Sequence, residues 1–227
     1  NPHEIGYICP VVMRAGRSIF VAVLALVASC AVPPDRENSR RNALGRAEQA
    51  ASWGAGAVAP IRIRSGHTAT LLGTNEVLLA GGGSAPKTTE IVRPFEARSI
   101  PGPDLDAPRS AHTATMLLSG KVLLAGGMDA TTAPVATAEL YDPIARTSTR
   151  TGAMAQGRRG HAAIRLASGK VLVAGGTTDL TTEIYDPGSG TWSPGPSRVG
   201  SPVVSALVTL QDGRILAVGP SAPATTE

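Results

Sequence analysis

Three stretches of the chain superimpose without a gap: Arg64 to Gly82, RSGHTATLLGTNEVLLAGG; Arg109 to Gly127, RSAHTATMLLSGKVLLAGG; and Arg158 to Gly176, RRGHAAIRLASGKVLVAGG. They begin 45 and 49 residues apart, and a degraded fourth copy, PVVSALVTLQDGRILAVGP at 202 to 220, follows 44 residues later. Each copy is an apolar run, a turn, and a second apolar run that ends in small residues. Ser119-Gly120, Ser168-Gly169 and Asp212-Gly213 occupy the turn. Asp-Gly favours the type I′ geometry of a two-residue hairpin, so each copy is predicted to be a β-hairpin.

The second half of each unit repeats as well. Thr89-Glu90-Ile91, Ala138-Glu139-Leu140-Tyr141-Asp142-Pro143 and Thr182-Glu183-Ile184-Tyr185-Asp186-Pro187 predict a third strand that stops at a proline. Trp192 follows Tyr185 by seven positions and falls on a predicted fourth strand. Four short strands in a unit of 44 to 49 residues is the period of a propeller blade. The units run near 64–108, 109–157, 158–201 and 202–227, within a repeat region of 61–227.

The double glycines Gly81-Gly82, Gly126-Gly127 and Gly175-Gly176, with Tyr141, Tyr185 and Trp192 at their spacing, resemble kelch repeats. The resemblance covers residues 64 to 227 and implies an all-β, kelch-type β-propeller with about three and a half four-stranded blades. Val92 stands in place of the Tyr in unit one, Ser99 and Ser148 in place of the Trp in units one and two, and unit four lacks the second Gly. Those blades are expected to pack more loosely than blades with aromatic cores. Thr225-Thr226-Glu227 aligns with Thr181-Thr182-Glu183, which places the end of the chain inside a third strand and leads us to expect an incomplete propeller from a longer protein. An open stack of repeats exposes the face that a next neighbour would bury.

Ahead of the repeats, Met13 to Cys30 reads MRAGRSIFVAVLALVASC, with Arg14 and Arg17 before ten apolar residues. Ten residues rise only about 15 Å as a helix, half the hydrocarbon thickness of a bilayer, so the segment fits a helical signal peptide and not a permanent span. Val27-Ala28-Ser29-Cys30 resembles the lipobox of bacterial lipoproteins, which implies cleavage before Cys30 and lipid attachment to its thiol. Anchoring then takes several acyl chains, since one binds only marginally. The alternative is ordinary cleavage after Ala31, giving a soluble periplasmic or secreted protein. Residues 1–12 read as a non-native or mis-assigned upstream extension, 13–30 as the signal, and 31–60, rich in Ala, Pro and charge without a sustained period, as a flexible tether. Ala31 points to the outer membrane or cell surface.

The chain has 227 residues, 26 Gly, 18 Pro and only 3% aromatics, a composition for short strands and turns. Its net charge of +4 is spread evenly: residues 1–60 carry six basic and four acidic side chains, residues 61–227 fifteen and thirteen. Nucleic-acid binding, which needs clustered basic residues, is excluded as an expectation. Cys9 and Cys30 both precede the repeats, so no disulfide framework holds the body together.

Little in the repeats suggests catalysis. Gly81 to Thr88, GGGSAPKT, approaches a phosphate loop, but Pro86 stands where glycine is required and removes an amide donor. His67, His112 and His161 occupy one repeat position; blade spacing puts them too far apart for one metal ion, and each is expected to hydrogen-bond backbone at a blade junction. Arg64, Arg109 and Arg158 with Glu90, Glu139 and Glu183 predict a repeated ion pair. Asp129 and Asp179 read as loop tips and not calcium ligands. No catalytic residue, metal or cofactor is assigned. The expected function is a non-catalytic binding or scaffold module that contacts a protein or glycan at the cell surface, held to the membrane only by its lipid. The alternative is the propeller of a galactose-oxidase-like copper enzyme for carbohydrates or alcohols, with its active-site residues outside this chain.

Overall fold

The computed structural model describes residues 58–84, 86–197 and 203–219. The signal segment 13–30 with Cys30, the tether up to residue 57, and the expected last strand at 225–227 lie outside the described residues.

Three four-stranded antiparallel sheets follow one another along the chain. The first is β1 (Thr68–Leu71), β2 (Val77–Ala80), β3 (Thr89–Arg93) and β4 (Arg98–Pro101). The second is β5 (Thr113–Met116), β6 (Val122–Ala125), β7 (Ala138–Asp142) and β8 (Thr147–Thr151). The third is β9 (Ala162–Arg165), β10 (Val171–Ala174), β11 (Thr182–Asp186) and β12 (Thr191–Pro194), and the hairpin β13 (Ala206–Thr209) with β14 (Ile215–Val218) begins a fourth. Strands within each sheet pair in sequence order. The first strands β1, β5, β9 and β13 touch their neighbours in turn, so the sheets stand side by side about their inner strands as the blades of a β-propeller.

The blades carry continuous apolar runs because the neighbouring blade covers a face. Leu78, Ala80 and Ile91 of blade one pack on Val122, Leu124 and Tyr141 of blade two. The opposite side of blade two, through Leu123, Ala125 and Ala138, packs on Val171 and Tyr185 of blade three. Successive strand residues point to opposite faces, so a run such as Val122–Ala125 is buried throughout only when both faces are covered. Each fully buried Leu or Val contributes about 1.5–3 kcal/mol relative to exposure. In β14, Ile215–Val218 is largely exposed.

The inner hairpins differ from the expected two-residue type I′ turn. The N–H of Leu117 donates to the carbonyl of Lys121 (2.8 Å) and Leu118-Ser119-Gly120 forms a three-residue loop, with Gly120 at φ +81°. Gly169 and Gly213 repeat this, and Asn75 takes the same left-handed position in blade one. One residue at positive φ closes such a loop, whereas a type I′ turn requires two.

Blades one and two are also not simply depleted at the missing Trp positions. Ser99 and Ser148 donate their hydroxyls to Glu90 Oε2 (3.2 Å) and Glu139 Oε2 (2.8 Å), so a polar bond stands where blade three has Trp192. Trp192 itself packs tilted on Tyr185 at 5.1 Å and donates Nε1–H to the Gly152 carbonyl of blade two (2.8 Å). Tyr185 Oη lies 2.7 Å from Thr151 Oγ1 of the same neighbour.

Candidate functional site

The repeated charged pair is buried, one per blade, and both partners belong to the same blade. Arg109 Nη2 lies 2.7 Å from Glu139 Oε1, Arg64 Nη2 2.7 Å from Glu90 Oε1, and Arg158 Nη2 3.1 Å from Glu183 Oε1. Arg109 and Arg158 are 0% exposed. Such a pair is tolerated where further hydrogen bonds satisfy both ions; here they satisfy nearly every group, with Arg109 Nε buried and without a partner among the described residues. The remaining guanidinium N–H groups close the loop between the second and third strands. Nη1 of Arg109 donates to the carbonyls of Gly126 (2.8 Å) and Thr137 (3.2 Å), and Arg64 and Arg158 do the same at Gly81 with Thr88 and at Gly175 with Thr181.

The carboxylate in turn holds the chain entering the blade. Glu139 accepts the amides of Asp106 (2.8 Å) and Ala107 (3.1 Å), Glu90 those of Ile61 and Arg62, and Glu183 that of Ala155. Burial pushes the Glu139 carboxyl up, but hydrogen bonds from Arg109, the Asp106 amide and Ser148 outweigh it and hold it below the usual carboxylate range. Glu90 is held low in the same way by Arg64, the Ile61 amide and Ser99.

The two ends of the GGGSAPKT segment therefore close on a cation. Its carbonyls at Gly81 and Thr88 face Arg64, and the amides of Gly81, Gly82 and Gly83 are already given to Thr88, Arg109 and Ser65 carbonyls. A phosphate cradle needs free amides, and these are spent.

The double glycine is required by contact at the junctions. A Cβ on Gly126 would lie 2.6 Å from the Arg158 carbonyl oxygen and 2.8 Å from His161 Cε1 of the next blade, and one on Gly127 would lie 2.6 Å from the Ser110 carbonyl of its own blade. The histidines complete the junction. His112 Nε2 lies 2.9 Å from Thr68 Oγ1 of the preceding blade and His161 Nε2 2.9 Å from Thr113 Oγ1, so for these two the partner is a side-chain hydroxyl and not the expected backbone group, whereas His67 has a backbone hydrogen bond with Arg64. Burial, then the neighbouring Arg109 charge, lowers His112 to about 3; burial and Arg158 lower His161 to about 4. Among the described residues no three His, Cys, Asp or Glu side chains converge on a metal position. Asp129 and Asp179 each turn Oδ1 into their own loops, accepting from Thr131 and Ala133, and from Thr177 and Thr181.

Sequence reasoning missed the threonines. Thr88, Thr137 and Thr181 sit two residues before each Glu, and that recurrence was the available signal. It also missed Arg159, which lines a cavity of about 500 Å³ among the loops of blades two, three and four, together with Pro134, Gln156, Thr177, Thr178 and Val203. A second cavity of about 460 Å³ lies at the opposite strand ends, where the turn at Gly73-Thr74 meets Ile144 and the Lys121–Asp142 pair (3.2 Å).

No family model and no curated protein matches the chain. Among solved structures it is similar to the structure of YjhT, a kelch-like β-propeller protein, with a TM-score of 0.52 and 13% identity over 62% of this chain. The match spans 53% of that chain. At this identity the likeness shows the fold: a β-propeller.

Proposed function

We propose that the chain is a kelch-type binding module of an exported bacterial protein, anchored by lipid at Cys30, which recognises a protein or glycan at the cell surface through loops at the ends of its blades. One observation carries this reading. The polar residues that recur from blade to blade, the Arg–Glu pairs and the His–Thr pairs, are consumed in closing loops and joining blades. Side chains that differ between blades, such as Arg159 in place of Ser65 and Ser110, are left at the loop ends. A scaffold of rigid strands with variable loops is the usual arrangement of a recognition surface. The fold alone does not choose the ligand.

The test is retention of the purified full chain on arrays of cell-envelope glycans and proteins. A variant in which 176–181 is replaced by the corresponding loop of blade one is expected to lose retention while its unfolding midpoint stays near that of the parent. Equal retention by both, or copper-dependent oxidation of galactose by the purified chain, overturns the reading.

A further inference from the structure

We propose that the cavity among the loops of blades two, three and four is a carboxylate-binding site, in which Arg159 holds a singly charged acidic ligand. The inference rests on the binding reading above and names the chemistry of one of its loop sites.

Arg159 departs from the repeat. The same position holds Ser65 in blade one and Ser110 in blade two. What the position supplies to the fold is its backbone: the Ser65 carbonyl accepts the Gly83 amide (2.8 Å), the Ser110 carbonyl accepts the Met128 amide (2.7 Å), and the Arg159 amide donates to Gly176 (3.3 Å). A guanidinium adds nothing that serine does not already allow there.

Among the described residues no carboxylate pairs with it. Arg64, Arg109 and Arg158 each meet a buried carboxylate, whereas among the described residues the exposed Arg159 reaches two neutral atoms, Met128 Sδ and the Thr132 carbonyl, both at 3.4 Å and both through Nη1. Nε and Nη2 remain as a planar fork, the geometry that a carboxylate matches with two parallel hydrogen bonds. Asp179 stays ionised but turns Oδ1 to its own loop, accepting from the Thr177 hydroxyl (2.9 Å), the Thr181 amide (3.0 Å) and the Thr181 hydroxyl (2.5 Å), and among the described residues it forms no ion pair with Arg159.

The surrounding surface suits a small acid. Thr178 adds a hydroxyl, Gln156 lines the wall with its side chain hydrogen-bonded to Asp179, and Pro134 and Val203 supply apolar area for a carbon skeleton. About 500 Å³ admits a sugar ring or a short side chain. Arg159 is the one Lys or Arg among the described residues that line the cavity, and its single charge is matched by a monoanion.

The experiment titrates the full chain with D-galacturonate against D-galactose, and with N-acetyl-glutamate amide against N-acetyl-glutamine amide, by calorimetry at low and high salt. The acid of at least one pair is expected to bind at least tenfold tighter than its neutral partner, less so as salt rises. Galacturonate preference identifies an acidic glycan as the source, glutamate preference an acidic peptide. Arg159→Ser, which restores the residue of the other blades and so keeps the unfolding midpoint, is expected to remove the preference; Arg159→Lys is expected to retain part of it. No preference for either acid, or a preference that survives Arg159→Ser, overturns the site. Array retention that persists in Arg159→Ser would leave the binding-module reading standing while the carboxylate site falls.

Discussion

Thr68 and His112 meet across the first blade junction, Oγ1 to Nε2 at 2.9 Å, and Thr113 meets His161 in the same way across the second. In both rings Nδ1 is buried without a partner. A proton added to either imidazole would place a charge in an apolar junction beside Arg109 or Arg158.

Stability should therefore fall on acidification. The folded-state values are lowered, to about 3 for His112 and about 4 for His161, from 6.5 in the unfolded chain. Between those limits the unfolded chain binds the extra proton, so lowering the pH favours unfolding, by up to about 1.4 kcal/mol per pH unit for each ring. The loss starts near pH 6.5. Glu90 and Glu139, held below their ordinary 4.5, add a further loss only at lower pH. Urea midpoints measured from pH 7.5 to 4.5 should decline in the parent, less steeply in a His112→Asn, His161→Asn double variant, in which His67 is still held below its ordinary value by burial and the Arg64 charge, and least in the variant that also carries His67→Asn. A flat profile in the parent would show that the rings are not buried neutral.

The ion pair within blade two, Arg109 with Glu139, should behave as a unit. Glu139→Gln leaves the fully buried Arg109 without its counter-charge and strips the Asp106 and Ala107 amides of a charged acceptor. The expected cost is about 3–5 kcal/mol. Arg109→Met with Glu139→Leu should cost clearly less than the sum of the single changes, because neither ion is then stranded. Additive costs in the double-mutant cycle would contradict the paired burial.

Anchoring is a separate matter, carried by Val27-Ala28-Ser29-Cys30 alone. The exported full chain should partition into detergent, and Cys30→Ser should shift it to the aqueous phase. Detergent partitioning that survives the substitution would show that lipid on Cys30 is not the anchor.

The blade period, the strands and the Arg–Glu pairing were legible because each repeats in register, so one observation made three times outweighs weak local signals. The partner of each histidine was not. His112 and Thr113 are neighbours in sequence, yet His112 bonds the threonine of the blade before and Thr113 the histidine of the blade after. A trace of this link existed: blade three has Ala162 in place of the threonine, and the next unit has Ser205 in place of the histidine, so both members change at the same junction. The turn geometry was missed for a local reason, since Ser-Gly fits both a two-residue turn and the end of a three-residue loop. Arg159 was passed over because attention to repeats selects residues that recur, and a binding residue on a repeat scaffold is one that does not.

Two glycines with similar backbone angles separate the cost of conformation from the cost of contact. Gly120 and Gly126 both have positive φ, +81° and +63°. A Cβ on Gly120 meets nothing within 4 Å, while one on Gly126 meets the Arg158 carbonyl oxygen at 2.6 Å, His161 Cε1 at 2.8 Å and Met154 Cε at 3.1 Å. Gly120→Ala should therefore cost only the left-handed penalty of about 1–2 kcal/mol. Gly126→Ala adds a clash with the next blade's backbone, which cannot retreat without breaking the Gly127 N–H to Arg158 carbonyl bond (2.7 Å). Its cost should exceed that of Gly120→Ala by about 2 kcal/mol or more, read as the difference in urea midpoints at constant slope. Equal midpoints would mean that blades two and three do not approach as closely as the Gly126 contact requires.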